Sequence, residues 1–275
     1  MSPRRSACLD VPVSDPGQRL DFFVAGGQKC GTTALDAMLR RHPGIEMPTR
    51  KELHFFDQES RDWSAEDYAE LHAQFDWTRP AVRGESTPIY TYWPGALERI
   101  RAYNPGARMV MALRHPVYRA FSQWRMESAR GRETLPFAQA IREGRARAAE
   151  QPRIYRRRFS HVERGFYAGQ ARALLEGFGP DQVHFVRTDQ LWSRSDEVVE
   201  ALLDFLGVEQ RRLTDGQEYV VPRVQSVALD PLDPEDRDYL REVFADDIRE
   251  TATLTGVDLS DWLEPDYRDP MTGGS

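Results

Sequence analysis

Short apolar runs alternate along the chain with segments in which apolar residues recur at helical spacing. Residues 20–25 form the first run, two glycines follow it, and residues 33–39 then carry a helical pattern. This order predicts a strand, a glycine-rich loop and a helix. Apolar runs at residues 107–113 and 183–186 predict two more strands, and residues 81–85 are a further candidate strand of weak composition.

Helical patterns follow or separate these predicted strands. They cover residues 94–103, 117–129, 196–206 and 234–256. Pro116 favours a helix start, Gly207 a helix end, and Asp233 is a typical N-cap residue. Strands that alternate with helices indicate an α/β protein whose central parallel sheet is flanked by helices. Because ligands bind such sheets at the carboxyl ends of the strands, the loops after three predicted strands should converge on one site.

The domain organisation follows from the continuity of this pattern. No linker-like segment interrupts the 275 residues, so we expect one domain over residues 19–265. Residues 1–18 contain three prolines and little periodicity, which predicts a flexible N-terminal tail. Residues 266–275 are expected to form a C-terminal tail.

Charge and cysteine content narrow the function classes. A net charge of −7 argues against broad binding to nucleic acid or to an anionic membrane, since both need excess Lys and Arg. The two cysteines, Cys8 and Cys30, predict no disulfide framework, and no zinc-type spacing predicts a metal site. Without a secretory signal or a membrane-length apolar run, we expect a cytoplasmic protein. The oligomeric state stays open.

The glycine-rich loop has the order of a phosphate-binding loop but an unusual lysine. Residues 26–33 read GGQKCGTT and should present backbone amides at a helix N-terminus. A Walker loop needs lysine after its second glycine, where Thr32 stands here, whereas Lys29 lies inside the loop. The order of strand, glycine loop and helix indicates a P-loop-like three-layer fold. The alternatives are a P-loop kinase, a non-catalytic nucleotide-binding module, or a plain glycine turn with an ordinary helix cap.

Three ordered motifs resemble those of the sulfotransferases that use 3′-phosphoadenosine-5′-phosphosulfate (PAPS). Residues 26–35 match G-x-x-K-x-G-T-T-x-L, and residues 114–122 match R-x-P followed by a helix with serine. Residues 51–57 (KELHFFD) resemble a loop of the heparan sulfate 3-O-sulfotransferases. The resemblance runs from about residue 20 to the mid-170s and implies a bacterial-style enzyme that moves a sulfuryl group from PAPS without a metal.

The resemblance also implies roles for individual residues. Lys29 would stabilise the leaving group, and Glu52 would be the general base, with His54 as its rival. The donor would contact Gly27, Gln28, Lys29, Cys30, Gly31, Thr32, Thr33, Arg114, Ser122 and, as the nearest late basic candidate, Arg223. Arg114 and Ser122 would bind the 3′-phosphate of the donor. The alternatives are a structural ion pair for Arg114, a solvated Ser122, and a surface Glu52 paired with Lys51.

Two further expectations concern Glu52 and the acceptor. An aromatic wall beside Glu52 predicts a raised pKa for its carboxyl group. The acceptor is expected to be a partly apolar small molecule with a hydroxyl or amine, such as a natural product or a saccharide. Its predicted contacts are Phe55, Glu85, Tyr90 and Tyr167. Residues 84–88 (GESTP) resemble the next motif of the 3-O-sulfotransferases, E-K-T-P, but Ser86 stands in place of its lysine, which argues against a polyanionic glycan.

One arginine-rich segment has two interpretations. Residues 142–164 contain three consecutive arginines at 156–158. A solvated helical face is the common reason for such a pattern. A lid that closes over donor and acceptor is the functional alternative.

Overall fold

The computed structural model describes residues 17–65, 67–213 and 231–270. The predictions that concern Cys8, Arg223 and most of the N-terminal tail fall outside these residues. So does the second half of the expected C-terminal tail.

Five parallel strands form the central sheet, in the order β2-β3-β1-β4-β5. The strands are β1 Phe22–Gly26, β2 Ile45–Glu46, β3 Val82–Ser86, β4 Arg108–Leu113 and β5 Val183–Arg187. Four of them lie where the sequence predicts strands, so the α/β fold with a parallel sheet is confirmed. The pattern missed β2 because two residues are too few to show a period.

Helices flank the sheet and include all of those predicted. They are α1 Thr32–Leu39, α2 Ala69–His72, α3 Ala96–Tyr103, α4 Pro116–Ala129, α5 Phe137–Arg142, α6 Arg147–Glu150, α7 Pro152–Ile154, α8 Tyr167–Phe178, α9 Gln190–Ser193, α10 Ser195–Leu206 and α11 Pro234–Thr255. The Asp233 side chain accepts a hydrogen bond from the Glu235 amide, which confirms the predicted N-cap. Gly207 ends α10 in the left-handed conformation. Sequence analysis missed α8, in which Gly169 and Gly177 weaken the helical signal.

The centre of the sheet fixes the loops that matter for function. Strand β1 lies between β3 and β4, and its apolar side chains are fully buried. Gly84 of β3 pairs with Phe22, and a Cβ atom there would lie 2.3 Å from the Phe22 ring. The close approach therefore requires glycine. As a result, the chain segments that follow β1, β3 and β4 leave the sheet side by side.

In the part of the chain that the structure describes, no helix is both long and apolar enough to cross a bilayer.

Candidate active site

The glycine loop after β1 presents unpaired backbone amides. Gly31 adopts a left-handed conformation (φ 77°) and begins α1 without a side-chain cap. Inside the loop, the Cys30 amide donates to the Gly27 carbonyl (3.2 Å). Within the described part of the chain, no acceptor bonds the amides of Gly31, Thr32 and Thr33. Amides at a helix N-terminus favour anions, so the loop has the geometry that the predicted phosphate site requires.

Lys29 projects from this loop into a partly buried environment. Its Nζ lies 3.7 Å from the sulfur of Met126. Burial lowers the pKa of Lys29 to about 8, and the nearby cations Arg114 and Arg130 add to the effect. The lysine is thus still mostly charged at neutral pH but is poorly solvated, which strengthens its interaction with an anion.

The loop of residues 51–57 docks on the end of β3. The Glu52 amide donates to the Ser86 carbonyl (3.1 Å), and the His54 amide donates to Thr87 Oγ1 (3.4 Å). Lys51 Nζ then lies 2.9 Å from Glu52 Oε1 and 3.5 Å from Thr32 Oγ1. One ammonium group therefore joins the predicted base to the glycine loop.

Glu52, His54 and Asp57 form a charged row. His54 Nε2 lies 3.7 Å from Glu52 Oε2, and His54 Nδ1 lies 3.0 Å from Asp57 Oδ2. Burial favours a raised pKa for Glu52, but the contacts from His54 and Lys51 outweigh it and lower that pKa to about 2. The expected rise in the pKa of Glu52 is therefore wrong. The carboxylates of Asp57 and Glu52 raise the pKa of His54 to about 9, so His54 is protonated at neutral pH.

The arginine-rich segment supports this row through Arg157. Both Nη atoms of Arg157 donate to Asp57 Oδ2 at 2.9 Å, and its guanidinium lies 4.3 Å from the centre of the Trp93 ring. Earlier in the sequence of this segment, Arg147 pairs with the buried Glu133. Part of the segment is therefore packed against the site, so a simple solvated face does not describe it.

Backbone strain is concentrated at three residues. Lys29, Glu52 and His54 have φ values of 68°, 60° and 55°, and among the described residues they are the non-glycine residues with positive φ. Each such conformation costs on the order of 1–3 kcal/mol and persists only where the surroundings impose it. Sequence analysis predicted catalytic roles for the same three residues.

Arg114 follows β4 and faces the glycine loop from the other side. Its Nη1 donates to the Lys29 carbonyl (3.1 Å), and its Nε donates to Asp269 Oδ2 (2.5 Å). The guanidinium therefore has the ion pair considered as an alternative, and it also touches the loop. Ser122 is partly exposed two turns along α4.

The four residues expected to contact the acceptor are buried in this structure. Glu85, Tyr90 and Tyr167 have no exposed surface, and Phe55 is 2% exposed. The Tyr90 hydroxyl accepts from the Phe55 amide (3.1 Å), and the Tyr167 hydroxyl donates to the Arg114 carbonyl (2.8 Å). Burial raises the pKa of Glu85 to about 7, and Thr87 Oγ1 donates to it (2.7 Å). These side chains support the two loops instead of lining an opening.

The opening itself is a polar cleft of about 600 Å³ beside Glu52 and His54. Its walls are formed by Arg50, Lys51, Glu52, Leu53, His54, Asp57, Gln58, Glu59, Ser60, Arg153 and Arg157. Four of these are Lys or Arg and none is aromatic, which does not fit the expected partly apolar acceptor. Sequence analysis assigned no site role to Lys51, Asp57 or Arg157, although the first two lie in the KELHFFD motif and the third in the arginine triplet.

Comparisons with known proteins agree with the motifs. Residues 81–212 match the sequence profile of the Sulfotransferase family. The membrane-associated sulfotransferase kil1 of Dictyostelium discoideum is 34% identical over 110 residues, which are 38% of this chain and 22% of that protein. The human heparan sulfate glucosamine 3-O-sulfotransferase 6 is 29% identical over 79% of this chain and 61% of its own length.

A solved structure extends the similarity to nearly the whole chain. The sulfotransferase from Alicyclobacillus acidocaldarius shares 28% identity and superposes with a TM-score of 0.73 over 90% of this chain and all of that one. The chain spans 22% and 61% of the lengths of the two curated relatives named above. Together these matches confirm the relationship to sulfotransferases that the three motifs predicted.

Proposed function

We propose that the protein transfers a sulfuryl group from PAPS to a hydroxyl or amine of a polar acceptor. The observation that carries this proposal is the meeting of the glycine loop with the predicted base: Lys51 Nζ contacts both Thr32 and Glu52. An anion-binding loop and a carboxylate base that one ammonium group joins supply the positioning that in-line group transfer requires.

The donor side of the reaction rests on the loop amides and Lys29. In this proposal the amides of Gly31, Thr32 and Thr33 hold the 5′-phosphate, and Arg114 with Ser122 holds the 3′-phosphate. Lys29 lies beside the oxygen that bridges phosphorus and sulfur. Negative charge grows on that oxygen as the sulfur–oxygen bond breaks, so the lysine stabilises the transition state more than the bound donor.

The acceptor side rests on Glu52. The acceptor oxygen or nitrogen forms a bond to sulfur, Glu52 takes its proton, and adenosine 3′,5′-bisphosphate leaves. His54 already carries a proton at neutral pH because its pKa is about 9, so it is a poor base in this state. A carboxylate with a pKa near 2 is also a weak base. If Lys51 turns from Glu52 toward the bound donor, Glu52 loses one of the contacts that depress its pKa.

The cleft supports a polar acceptor. Its cationic side chains and the lack of aromatic rings among its lining residues favour a molecule with many oxygen groups. A saccharide or a polar natural product has this chemistry. The heparan sulfate named for one relative is a saccharide of this kind.

Two observations weigh against the alternatives. A P-loop kinase uses a lysine directly after the second glycine, and Thr32 occupies that position. A non-catalytic nucleotide-binding module gives no reason for the strained Glu52 and His54.

Thermal unfolding with ligands tests the proposal. A ligand that binds only the folded protein raises its melting temperature. We expect adenosine 3′,5′-bisphosphate to raise it more than ATP with magnesium does. PAPS plus an acceptor panel rich in saccharides and polar natural products should then release adenosine 3′,5′-bisphosphate. A larger shift with ATP, or release that no acceptor accelerates, would argue against a sulfotransferase.

A further inference from the structure

The guanidinium of Arg114 is held on two sides. Asp269 accepts from Nε at 2.5 Å, and the Lys29 carbonyl accepts from Nη1 at 3.1 Å. Neither contact involves Nη2. Because guanidinium is planar and carries five N–H groups, these contacts fix its plane. Among the described residues they leave Nη2 able to bind another group.

Asp269 belongs to a segment that is packed onto the loop of Arg114. His115 Nε2 lies 3.0 Å from the Trp262 carbonyl, and the Tyr267 ring stacks on the His115 ring at 4.8 Å. The Tyr118 hydroxyl donates to the Tyr267 carbonyl (3.1 Å). Asp269 itself is only 2% exposed. The carboxylate is therefore fixed by packing on the residues that flank Arg114.

A second set of contacts anchors the same segment to β5. Arg187 pairs with Asp189 and Asp261, and the Tyr267 hydroxyl donates to Asp189 Oδ2 (2.9 Å). The position of Asp269 thus depends on two neighbouring strand ends, those of β4 and β5. A loosely held tail would lack such contacts.

We propose that Asp269 is a positioning residue for donor recognition. It fixes the Arg114 guanidinium so that the Nη2 edge is ready for the 3′-phosphate of the donor. This inference rests on the proposed function, in which Arg114 binds that phosphate. A fixed arginine loses less conformational entropy when the ligand binds, so the donor binds more tightly.

Asp269 can also affect donor affinity in the opposite direction. A carboxylate next to Arg114 can compete with the phosphate for the same cation. In that case its removal would tighten donor binding. The direction of the change in affinity therefore decides between positioning and competition.

Calorimetry with two nucleotides tests the role. Adenosine 3′,5′-bisphosphate carries the 3′-phosphate and adenosine 5′-monophosphate lacks it. We expect Asp269→Ala to weaken binding of the bisphosphate about tenfold, the lower end of the loss of a charge-assisted hydrogen bond, and to leave the monophosphate unchanged. Asp269→Asn retains an acceptor for Nε and should recover part of the loss. Asp266→Ala, an exposed neighbour, serves as the matched control and should change neither affinity.

The variant Arg114→Ala separates this inference from the proposed function. If Arg114→Ala leaves the preference for the bisphosphate intact, the assignment of the 3′-phosphate to Arg114 fails. If Arg114→Ala removes the preference and Asp269→Ala does not weaken the bisphosphate, only the positioning role fails. Equal weakening of both nucleotides with a lower melting temperature would show a merely structural role. In the Arg114→Ala background, Asp269→Ala should have no further effect on the preference, since it acts through that arginine.

Discussion

The glycine loop and the loop of residues 51–57 lie side by side and carry their charges by different means. The glycine loop uses its own backbone: free amides at the start of α1 and a lysine within the same eight residues. The second loop depends on side chains from elsewhere, because Thr32 contacts Lys51 and Arg157 contacts Asp57. A short motif therefore specifies the first loop almost completely, but only part of the second.

The pKa values show the same contrast. Burial is the main cause of the lowered pKa of Lys29. For Glu52, burial acts in the opposite direction and the contacts of His54 and Lys51 prevail. For the lysine, burial and the nearby cations thus act in the same direction, whereas for the carboxylate burial and the neighbouring cations oppose each other. Variants in the two loops should consequently differ in what they change.

Glu52→Gln should give the largest effect of all. We expect turnover to fall by roughly 10²–10⁴, the usual range for a lost general base. Donor affinity should stay nearly constant, because in the proposed function the glycine loop holds the donor through its own amides. Steady-state kinetics together with calorimetry measure the two effects. His54→Ala should cost less, and an active Glu52→Gln beside an inactive His54→Ala would assign the base to His54.

Lys29→Ala is the corresponding test of the glycine loop. We expect turnover to fall by about 10²–10³, as when one donor to a developing negative charge is removed. Binding of adenosine 3′,5′-bisphosphate should weaken much less, because Lys29 is needed most when the bridging oxygen becomes negative. Single-turnover kinetics separates the chemical step from binding. A variant with normal turnover and weak binding would give Lys29 a binding role only.

The pH profile sharpens the contrast between the loops. Lys29 has a pKa of about 8 in the free enzyme, so kcat/KM should fall by up to tenfold per pH unit as pH rises above that value and the ammonium loses its proton. Glu52, with a pKa near 2, should give no acid limb above about pH 4. Lys29→Arg keeps its charge to higher pH and should remove the limb near pH 8. A limb that persists in Lys29→Arg belongs to another group, such as His54.

The fold was largely predictable from sequence because its central strands β1 and β4 are apolar runs. Strand β4 is buried along nearly all its length, and its run of residues 107–113 has no other simple explanation. The two residues of β2 are too few to show a period, and the glycines of α8 weaken its helical pattern. Local pattern is thus enough for long buried elements and too weak for short ones.

The site was predictable where its residues are neighbours in sequence. Lys29 and Glu52 were proposed from motifs, and both adopt a strained backbone conformation in the structure. The acceptor contacts were not, because sequence shows that Phe55 and Tyr90 are aromatic but not that they pack inward. Asp269 meets Arg114 across 155 residues of chain, a distance at which no spacing rule applies.

Arg157→Ala should give the smallest effect and test how the second loop is supported. Its ion pair with Asp57 is about 40% exposed on the arginine side, and pairs of this kind contribute ~0–1 kcal/mol. Turnover should therefore fall less than about fivefold, the equivalent of 1 kcal/mol. Removing the guanidinium leaves the Asp57 charge less compensated, so the pKa of His54 should rise further above its ordinary value. Nuclear magnetic resonance of the His54 ring measures that pKa.

Arg158→Ala is the matched control, because its side chain makes no ion pair with Asp57 among the described contacts. An unchanged pKa of His54 in Arg157→Ala would show that the loop of residues 51–57 keeps its electrostatics without the arginine-rich segment. The contrast with the glycine loop would then disappear at this point.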